Sequence, residues 1–188
     1  MIKELREFGR FLVIAGFRNV KIEDAARLLD LIRERAKRAD IQIFDAMSIA
    51  GWEHLYFAAL NALNAFKNGL NISKSLAVET LLFSSAQRQI RKAIELMGVG
   101  SKTSEVGVLI IANSRQEAVE ALRIVSGLIG GERDDTVLEL TDKKFEHIRK
   151  LFNVSKLELE AVLKQKGLEK EALTNLMIER MALLAAQR

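Results

Sequence analysis

The stretch Val106-Gly107-Val108-Leu109-Ile110-Ile111-Ala112 carries the clearest secondary-structure signal in the chain. It is short, almost entirely apolar and rich in β-branched residues, which is typical of a buried β-strand. Ser114-Arg115-Gln116-Glu117 follows and has the serine-to-glutamate spacing of a capping box, which predicts the start of a helix. That helix is expected to end near Ile129, before Gly130-Gly131. A buried strand followed by a capped helix indicates a fold in which helices pack on a sheet.

Three more strands are predicted from apolar patterns elsewhere in the sequence. Residues 11–15 form a continuous apolar run that Gly16 is expected to end. Residues 41–44 alternate between apolar and polar side chains, as a strand with one buried face does. Residues 136–140 are the fourth candidate. Together with residues 106–112, these segments predict one sheet of about four strands.

Capping residues and glycines mark the predicted helices. Asp24 is the expected N-cap of a helix over residues 25–37, and Ser75 starts a helix that Ser84-Ser85 interrupts, because hydroxyl groups there can cap a new start. Further helices are predicted from Gly51 to Gly69, up to Met97 before Gly98, after the caps Thr141 and Ser155, and over residues 168–186. The predicted class is therefore α/β or α+β, with one domain over residues 1–188. Residues 153–188 form a helical part that is either integral to the domain or an extension of it.

The composition is that of a globular protein and excludes several functional classes. Hydrophobic residues make up 49% and charged residues 29% of the chain, a balance that supports a folded core. Cysteine is absent, which excludes disulfides, thiol nucleophiles and zinc–thiolate sites. The N-terminal residues include acids, and no apolar stretch approaches the ~20 residues that span a bilayer, so we expect a cytoplasmic protein without a membrane partner. The net charge of +4 permits contact with nucleic acid without requiring it.

The residues that usually carry catalysis are few. The two histidines, His54 and His147, lack the spacing of a helical metal-binding motif and are expected at the surface or at its boundary. Gly98-Val99-Gly100 follows a predicted helix instead of a strand, so it is expected to be a helix end and not a dinucleotide site. The acidic residues of 132–135 are expected to form a solvated turn, because nothing else supplies the oxygen cage of a cation site. No metal, cofactor or catalytic residue is predicted.

One segment combines apolar and basic residues in helical spacing. Ile90, Ala93, Ile94 and Met97 predict an apolar stripe, and Arg88, Arg91 and Lys92 share another face. The serines just before them would leave helix-start amides free for an anion, which favours a phosphate-contacting surface. The alternative is a solvated helix face on which Arg91 pairs with Glu95.

The same segment carries a family resemblance. The order and spacing Glu79-x-Leu81-Leu82-x-x-Ser85-x-x-Arg88-Gln89-Ile90-x-x-Ala93-Ile94-x-x-x-Gly98 resembles the signature of the CGI-121 family, the KEOPS subunits whose animal member is the PRPK-binding protein. Residues 106–112, the helix after Ser114 and the run Glu179-Arg180-Met181-Ala182-Leu183-Leu184 resemble archaeal members. The similarity extends over nearly the whole chain.

This resemblance implies a compact α/β protein with no known active site and no cofactor. It implies binding to the N-terminal lobe of the kinase-like ATPase subunit of KEOPS, and contact with tRNA, particularly at its single-stranded 3′ CCA end. The complex makes threonylcarbamoyladenosine next to the anticodon, and another subunit carries out that chemistry. No small-molecule substrate is expected for a protein of this kind.

Two sets of residues are predicted to form these interfaces. Charge and position favour a tRNA surface that comprises Arg88, Arg91, Lys92, Lys67 and Lys74. The candidates for protein docking are apolar residues of the last helix that are expected to be exposed, namely Leu173, Leu176 and Met177. The opposing interpretation makes these three ordinary core residues. Two other functions stay open: a small-molecule enzyme of unknown type on an α/β fold, and a homo-oligomeric scaffold that uses the last helix.

Overall fold

The computed structural model describes residues 1–187 and confirms the predicted mixed α/β class. Residue 188, the last position of the predicted domain and of its helical C-terminal part, lies outside the described residues. The strands are β1 (Ile2–Leu5), β2 (Arg10–Arg18), β3 (Ala39–Asp45), β4 (Val106–Ala112) and β5 (Glu132–Arg133). The α-helices are α1 (Ala25–Arg35), α2 (Trp52–Lys67), α3 (Leu76–Ser84), α4 (Ile90–Met97), α5 (Arg115–Ile129), α6 (Asp142–Leu151), α7 (Lys156–Val162) and α8 (Glu169–Ala186). Short 3-10 helices cover Arg6–Phe8, Ala46–Ser48 and Asp135–Leu138.

The strands form one antiparallel sheet in the order β1-β2-β4-β3, and β5 pairs with the end of β2. The bounds of β4 coincide with the predicted strand, whereas β2 and β3 extend beyond residues 11–15 and 41–44. Every residue of β4 is buried. Its apolar run is continuous, instead of alternating, because this central strand is covered on both faces.

Helices cover both faces of the sheet and create two hydrophobic cores. On one side, which we call the α2 face, the strands contribute Leu12, Ile14, Phe44, Leu109 and Ile111 to a core shared with α2, α3, α6 and α8. On the other, the α1/α5 face, they contribute Val13, Ala15, Ile43, Val108 and Ile110 to a core shared with α1 and α5. The two sets alternate along each strand because successive side chains point to opposite faces.

A pair of glycines makes room for the segment that precedes α6. Gly16 of β2 lies opposite Gly107 of β4. A Cβ atom on Gly16 would lie 2.4 Å from the carbonyl oxygen of Asp134, and one on Gly107 would lie 2.3 Å from Ile49 Cδ1. The 3-10 helix Asp135–Leu138 therefore packs on the sheet at a place where neither strand carries a side chain.

This packing accounts for two departures from the sequence-based predictions. Residues 136–140, predicted as a strand, lie largely in the 3-10 helix, whose Val137 and Leu138 are both buried against the sheet instead of alternating. Gly16 does not end β2, because it serves a close approach of the backbone and not a turn. The additional strands are β1 and the two-residue β5, which the apolar patterns did not predict.

Hydrogen bonds confirm most of the predicted helix boundaries. Side chains accept from backbone amides at the starts of α1, α3, α5, α6 and α7, and the capping residues are Asp24, Ser75, Ser114, Thr141 and Ser155. Ser155 and Glu158 form a complete capping box, and Gly130 ends α5 with a φ of 69°. Such caps stabilise a helix by about 1 kcal/mol each, which is why these boundaries are visible in the sequence.

Candidate interaction surface

The end of α3 is held by its own serine hydroxyls. Ser84 and Ser85 are buried, and their Oγ atoms donate to the Leu81 carbonyl oxygen at 3.0 and 2.8 Å. The prediction that these serines cap the start of the next helix is wrong, because both hydroxyl groups satisfy the last turn of α3 instead. They therefore offer no hydroxyl to an anion at the start of α4.

Most of α4 is exposed to solvent. Only Ala93 and Met97 are buried, in the core that α4 shares with α3. The other two residues of the predicted apolar stripe, Ile90 and Ile94, are 42% and 52% exposed. A short helix that packs mainly against one neighbour leaves these two side chains uncovered. The predicted basic residues, Arg88, Arg91 and Lys92, lie at or just before the start of the same helix.

Those basic residues differ in how free their charges are. Arg88, Arg91 and Lys92 are all exposed. Arg91 Nε lies 3.1 Å from Glu95 Oε1, the pair that the solvated-face interpretation predicts. Arg88 and Lys92 form no ion pair with any residue of 1–187. Gln89 is the N-cap and its side chain makes no capping hydrogen bond, so the first amides of α4 keep their capacity to bind an anion.

The other two predicted tRNA residues lie on neighbouring segments. Lys67 ends α2, and its Nζ lies 3.8 Å from Glu7 Oε1, so part of its charge is already compensated. Lys74 is exposed in the connection between α2 and α3 and has no ion pair among the residues that the structure describes. Leu70 and Ile72 of the same connection are also exposed. Of the two lysines, Lys74 is the one whose charge is free.

The residues predicted for protein docking lie in the interior. Leu173, Leu176 and Met177 are buried in the core of the α2 face. The expectation that they are exposed is wrong, because α8 turns this side towards α2 and α3. They are ordinary core residues, as the opposing interpretation predicts. Leu183 of the same helix is 53% exposed, so a contact between α8 and a partner stays a prediction that depends on Leu183.

A groove of about 430 Å³ lies next to Leu183, between the turn after α3, the end of α6 and the end of α8. Its lining includes Ala86, Leu96, Leu151, Phe152, Arg180 and Leu183. Arg180 Nη2 lies 2.9 Å from Glu158 Oε1, which anchors one wall. Because Leu96 belongs to α4, the groove adjoins that helix. We call it the α8 groove, and we call Arg88, Ile90, Arg91, Lys92 and Ile94 the α4 surface.

Comparison with known proteins identifies the family. Residues 17–185 match the family described as Kinase binding protein CGI-121. The chain belongs to the CGI-121 family. The curated relative Regulatory protein Cgi121 of Methanocaldococcus jannaschii is 33% identical over 143 residues, which cover 76% of this chain and 85% of the relative. The resemblance seen in the sequence is confirmed, and the matched region includes the α4 surface and Leu183.

In this member of the CGI-121 family, His54 belongs to the core. The Ala50 amide donates to His54 Nδ1 at 3.1 Å, and Nε2 lies 2.8 Å from the Ser84 carbonyl oxygen. A carbonyl only accepts, so Nε2 carries the proton and the ring is neutral. Burial lowers the pKa of His54 to about 4. The expectation of a surface or boundary position is wrong for His54, a residue of α2 that is completely buried, whereas His147 is exposed.

Two other groups with strongly shifted pKa values, Lys144 and Asp135, also hold the fold together. Lys144 is buried and its Nζ donates to the Val137 carbonyl oxygen at 2.9 Å, and burial lowers its pKa to about 8. Partial burial works to raise the pKa of Asp135, but hydrogen bonds from the Arg133 guanidinium and the Gly16 amide outweigh it and lower that pKa to about 2. Among residues 1–187, no group of three or more acidic or histidine side chains is arranged to hold a metal ion. No helix in this part of the chain is long and apolar enough to cross a membrane.

Proposed function

We propose that this protein is a non-catalytic subunit of the KEOPS complex, which binds the kinase-like ATPase subunit and recruits tRNA by its 3′ CCA end for threonylcarbamoyladenosine formation. The family description and the name of the archaeal relative support the kinase-binding, regulatory part. The α4 surface supports the RNA part, because one short segment carries uncovered apolar side chains together with two cations, Arg88 and Lys92, that form no ion pair within residues 1–187. The exposure and charge of the α4 surface are the observation on which the RNA half of the proposal rests.

A single-stranded RNA end presents two kinds of group to a protein. Its unstacked bases offer apolar faces, and its phosphates carry negative charge. Ile90 and Ile94 give the α4 surface an apolar contact area, and Arg88 and Lys92 give it charges that form no ion pair with any residue of 1–187. The uncapped start of α4 adds backbone amides that favour an anion. The surface therefore suits both chemical features of a tRNA 3′ end.

The RNA half is tested by measuring tRNA affinity against salt concentration. If Arg88, Arg91 and Lys92 each neutralise one phosphate, log K should fall with log salt at a slope near −2, from about −0.7 per contact on a single strand. We expect Arg88→Glu combined with Lys92→Glu to weaken binding and flatten the slope, because these are the cations without acidic partners. Removal of the CCA end should weaken binding to the parent protein.

The matched control reverses two exposed lysines on α6, Lys143→Glu combined with Lys150→Glu. This variant changes the net charge by the same amount but leaves the α4 surface unaltered. It should therefore retain the affinity for CCA-ended tRNA. Equal weakening by both pairs would show that only net charge matters. Unchanged binding in the Arg88 and Lys92 variant would show that the α4 surface is the wrong one.

The kinase half requires an accessible apolar contact, because protein interfaces have an apolar core inside a polar rim. Leu183 beside the α8 groove provides one in the part of the chain that sequence analysis selected. We expect Leu183→Glu to abolish co-elution with the kinase-like subunit at micromolar concentration while the circular dichroism spectrum stays unchanged. Leu176→Glu should unfold the protein instead, because it places a charge in the core.

Leu157 of α7 is the control for a general effect of exposed leucines. It is 77% exposed, so Leu157→Glu should change neither the fold nor the complex. Loss of the complex in both leucine variants would argue against a specific role of the α8 groove. Failure of the parent protein to co-elute would remove the kinase half and leave the tRNA measurement untouched.

The proposal of a non-catalytic role is supported by the positions of His54 and Lys144, whose pKa values are lowered by burial. His54 and Lys144 are buried and bonded to backbone carbonyls, and neither lines the α8 groove. A catalytic acid or base must reach its substrate, which these side chains cannot do in the folded chain. We expect the isolated protein to show no ATPase, hydrolase or transferase turnover. Turnover that is lost on His54→Gln without unfolding would contradict this.

A further inference from the structure

A second groove lies on the opposite side of the sheet from the α4 surface. It runs between the end of α1, the connection from α1 to β3, and the first half of α5, and it has a volume of about 1060 Å³. We call it the α1/α5 groove. This volume lies at the upper end of the range for small-molecule clefts, which suits a longer occupant. Because α4 and α8 pack on the α2 face, a ligand in this groove would leave the α4 surface free.

The floor of the α1/α5 groove is apolar. Ala36 and Ala121 are buried at its base, and Ile124 is partly buried beside them. Val119, five residues before Ile124 on α5, also lines the groove and is 47% exposed. No aromatic side chain is among the residues that line it. The groove therefore offers apolar contact without a platform on which bases could stack.

The rim of the groove is positively charged. The exposed cations that line it are Arg35, Lys37, Arg38 and Arg115. None of them forms an ion pair with another residue of 1–187. Three acids also line the groove, but Glu120 is already paired with Arg123 at 2.8 Å. Four free cations thus face two free acids, Glu34 and Glu117, and the excess positive charge favours an acidic ligand.

One acceptor in the groove lacks a donor. Glu117 lines the groove, and its Oε2 atom is buried without a hydrogen-bond partner among the residues that the structure describes. Buried polar atoms are rarely left unpaired, because the loss of hydration costs about 1–3 kcal/mol. The N–H groups in the first turn of a bound peptide helix have no partner within the helix, so they can donate to such an oxygen.

We propose that the α1/α5 groove binds an acidic amphipathic peptide segment of a partner protein. The apolar side of the segment packs on Val119 and Ile124, and its acidic residues face the arginines and the lysine of the rim. This is the arrangement in which an amphipathic helix lies in a groove between two helices. The protein would then hold this partner and the ligand of the α4 surface at the same time, on opposite sides of its sheet.

The probe is a fluorescein-labelled synthetic peptide of about 16 residues, with leucine at every third and fourth position and glutamate elsewhere. Fluorescence anisotropy with the full chain at low salt should show saturable binding. A peptide with the same composition in scrambled order should bind more weakly, because it lacks the apolar stripe. We expect Arg38→Glu combined with Arg115→Glu to weaken binding about tenfold. Arg115 is the first residue of α5, where an acid suits the helix dipole, so this variant should fold.

Val119→Lys separates a peptide from a nucleic acid. It removes the exposed apolar contact and adds a positive charge, and it should leave the fold intact because Val119 is half-exposed. For an amphipathic peptide we expect weaker binding at high salt, where the attraction between the added charge and glutamate is screened and the loss of the apolar contact remains. For a ligand held by charge alone, such as an oligouridylate of about 12 nucleotides, the same change should strengthen binding.

Three results would overturn the proposal. The first is the absence of peptide binding up to about millimolar concentration, the weakest affinity of interest. The second is equal binding by the parent protein, the Arg38 and Arg115 variant and Val119→Lys. The third is tighter binding of the oligouridylate than of the peptide, with Val119→Lys increasing that affinity. Lys143→Glu combined with Lys150→Glu on α6 is the control of equal charge change, and it should bind the peptide as the parent does.

Discussion

Helices α3 and α4 follow each other in the chain but have opposite surroundings. Seven of the nine residues of α3 are buried, including every residue of Glu79–Ser84. In α4 only Ala93 and Met97 are buried, and two isoleucines face solvent. A short turn that contains the buried Ser85 separates them. One helix therefore contributes mainly to stability, and the next is free to contribute to binding.

The contrast also explains why apolar content alone does not locate a binding surface. Leu82 of α3 and Ile94 of α4 are side chains of similar size, yet one is fully buried and the other is half-exposed. Burial of such a side chain stabilises a fold by about 1.5–3 kcal/mol, whereas an uncovered one is available to a partner. The following predictions test this division of roles, beginning with the largest expected effect.

Leu82→Ala should destabilise the protein by about 3 kcal/mol or more, because it leaves a cavity in the core. Ile94→Ala should change stability by less than about 0.5 kcal/mol, as exposed positions do. Chemical denaturation followed by circular dichroism measures both. Similar losses in the two variants would mean that α4 is as integral to the core as α3.

Acid should weaken the attachment of α3 through His54. The folded-state pKa of His54 is about 4, below its usual value of 6.5, so only the unfolded chain binds a proton in between. His54 therefore contributes stability that is complete above pH 6.5 and declines as pH falls towards 4, by about 3 kcal/mol in total. Unfolding measured at several pH values should show this loss. A variant such as His54→Gln should be less stable at neutral pH but flatter over the same interval, and an equally steep decline in it would assign the effect to other groups.

Ile94→Ala should weaken binding of CCA-ended tRNA several-fold, which corresponds to about 1 kcal/mol of lost apolar contact. Leu82→Ala, measured under conditions where it is folded, should bind tRNA as the parent does. Leu82→Ala would then lower stability without changing tRNA affinity, and Ile94→Ala would lower tRNA affinity with little change in stability. Retained affinity in Ile94→Ala would limit the α4 surface to its charges.

The smallest expected effect concerns the turn between the two helices. Ala86 has a φ of 50°, a left-handed conformation in which a Cβ atom is unfavourable. Ala86→Gly should raise the free energy of unfolding by up to about 1 kcal/mol. Relief of the backbone strain stabilises the folded chain, and the higher entropy of glycine in the unfolded chain offsets part of that gain. A thermal melt would detect it. A loss of stability would indicate that the methyl group packs in the α8 groove more than it strains the turn.

Local signals in the sequence were sufficient for much of the fold. Asp24, Ser75, Thr141 and Ser155 act on amides a few residues away, so their roles as caps were readable from the chain alone. The run of β4 was readable because both of its faces are buried. The 3-10 helix Asp135–Leu138 was not, because it depends on Gly16 of β2, more than a hundred positions away, and on Gly107 of β4.

The candidate surfaces were less accessible to sequence analysis. Arg88, Arg91 and Lys92 were identified from their charges, but their freedom from acidic partners depends on the folded structure. The stripe did not distinguish the exposed Ile90 and Ile94 from the buried Ala93 and Met97, because an apolar stripe at helical spacing has the same appearance in a core and on a binding surface. For the same reason, Leu173 and Met177 were predicted to be exposed on a binding surface, although both are buried in the core.

The facing glycines Gly16 and Gly107 also bear on the order in which the molecule assembles. The site that they create exists only once β2 and β4 have paired in register, so the segment Asp135–Leu138 has nothing to dock on before that event. We therefore expect its contacts to form after the rate-limiting step of folding. Val137→Ala should then accelerate unfolding and leave the refolding rate nearly unchanged in stopped-flow measurements, whereas slower refolding would place this segment in the nucleus.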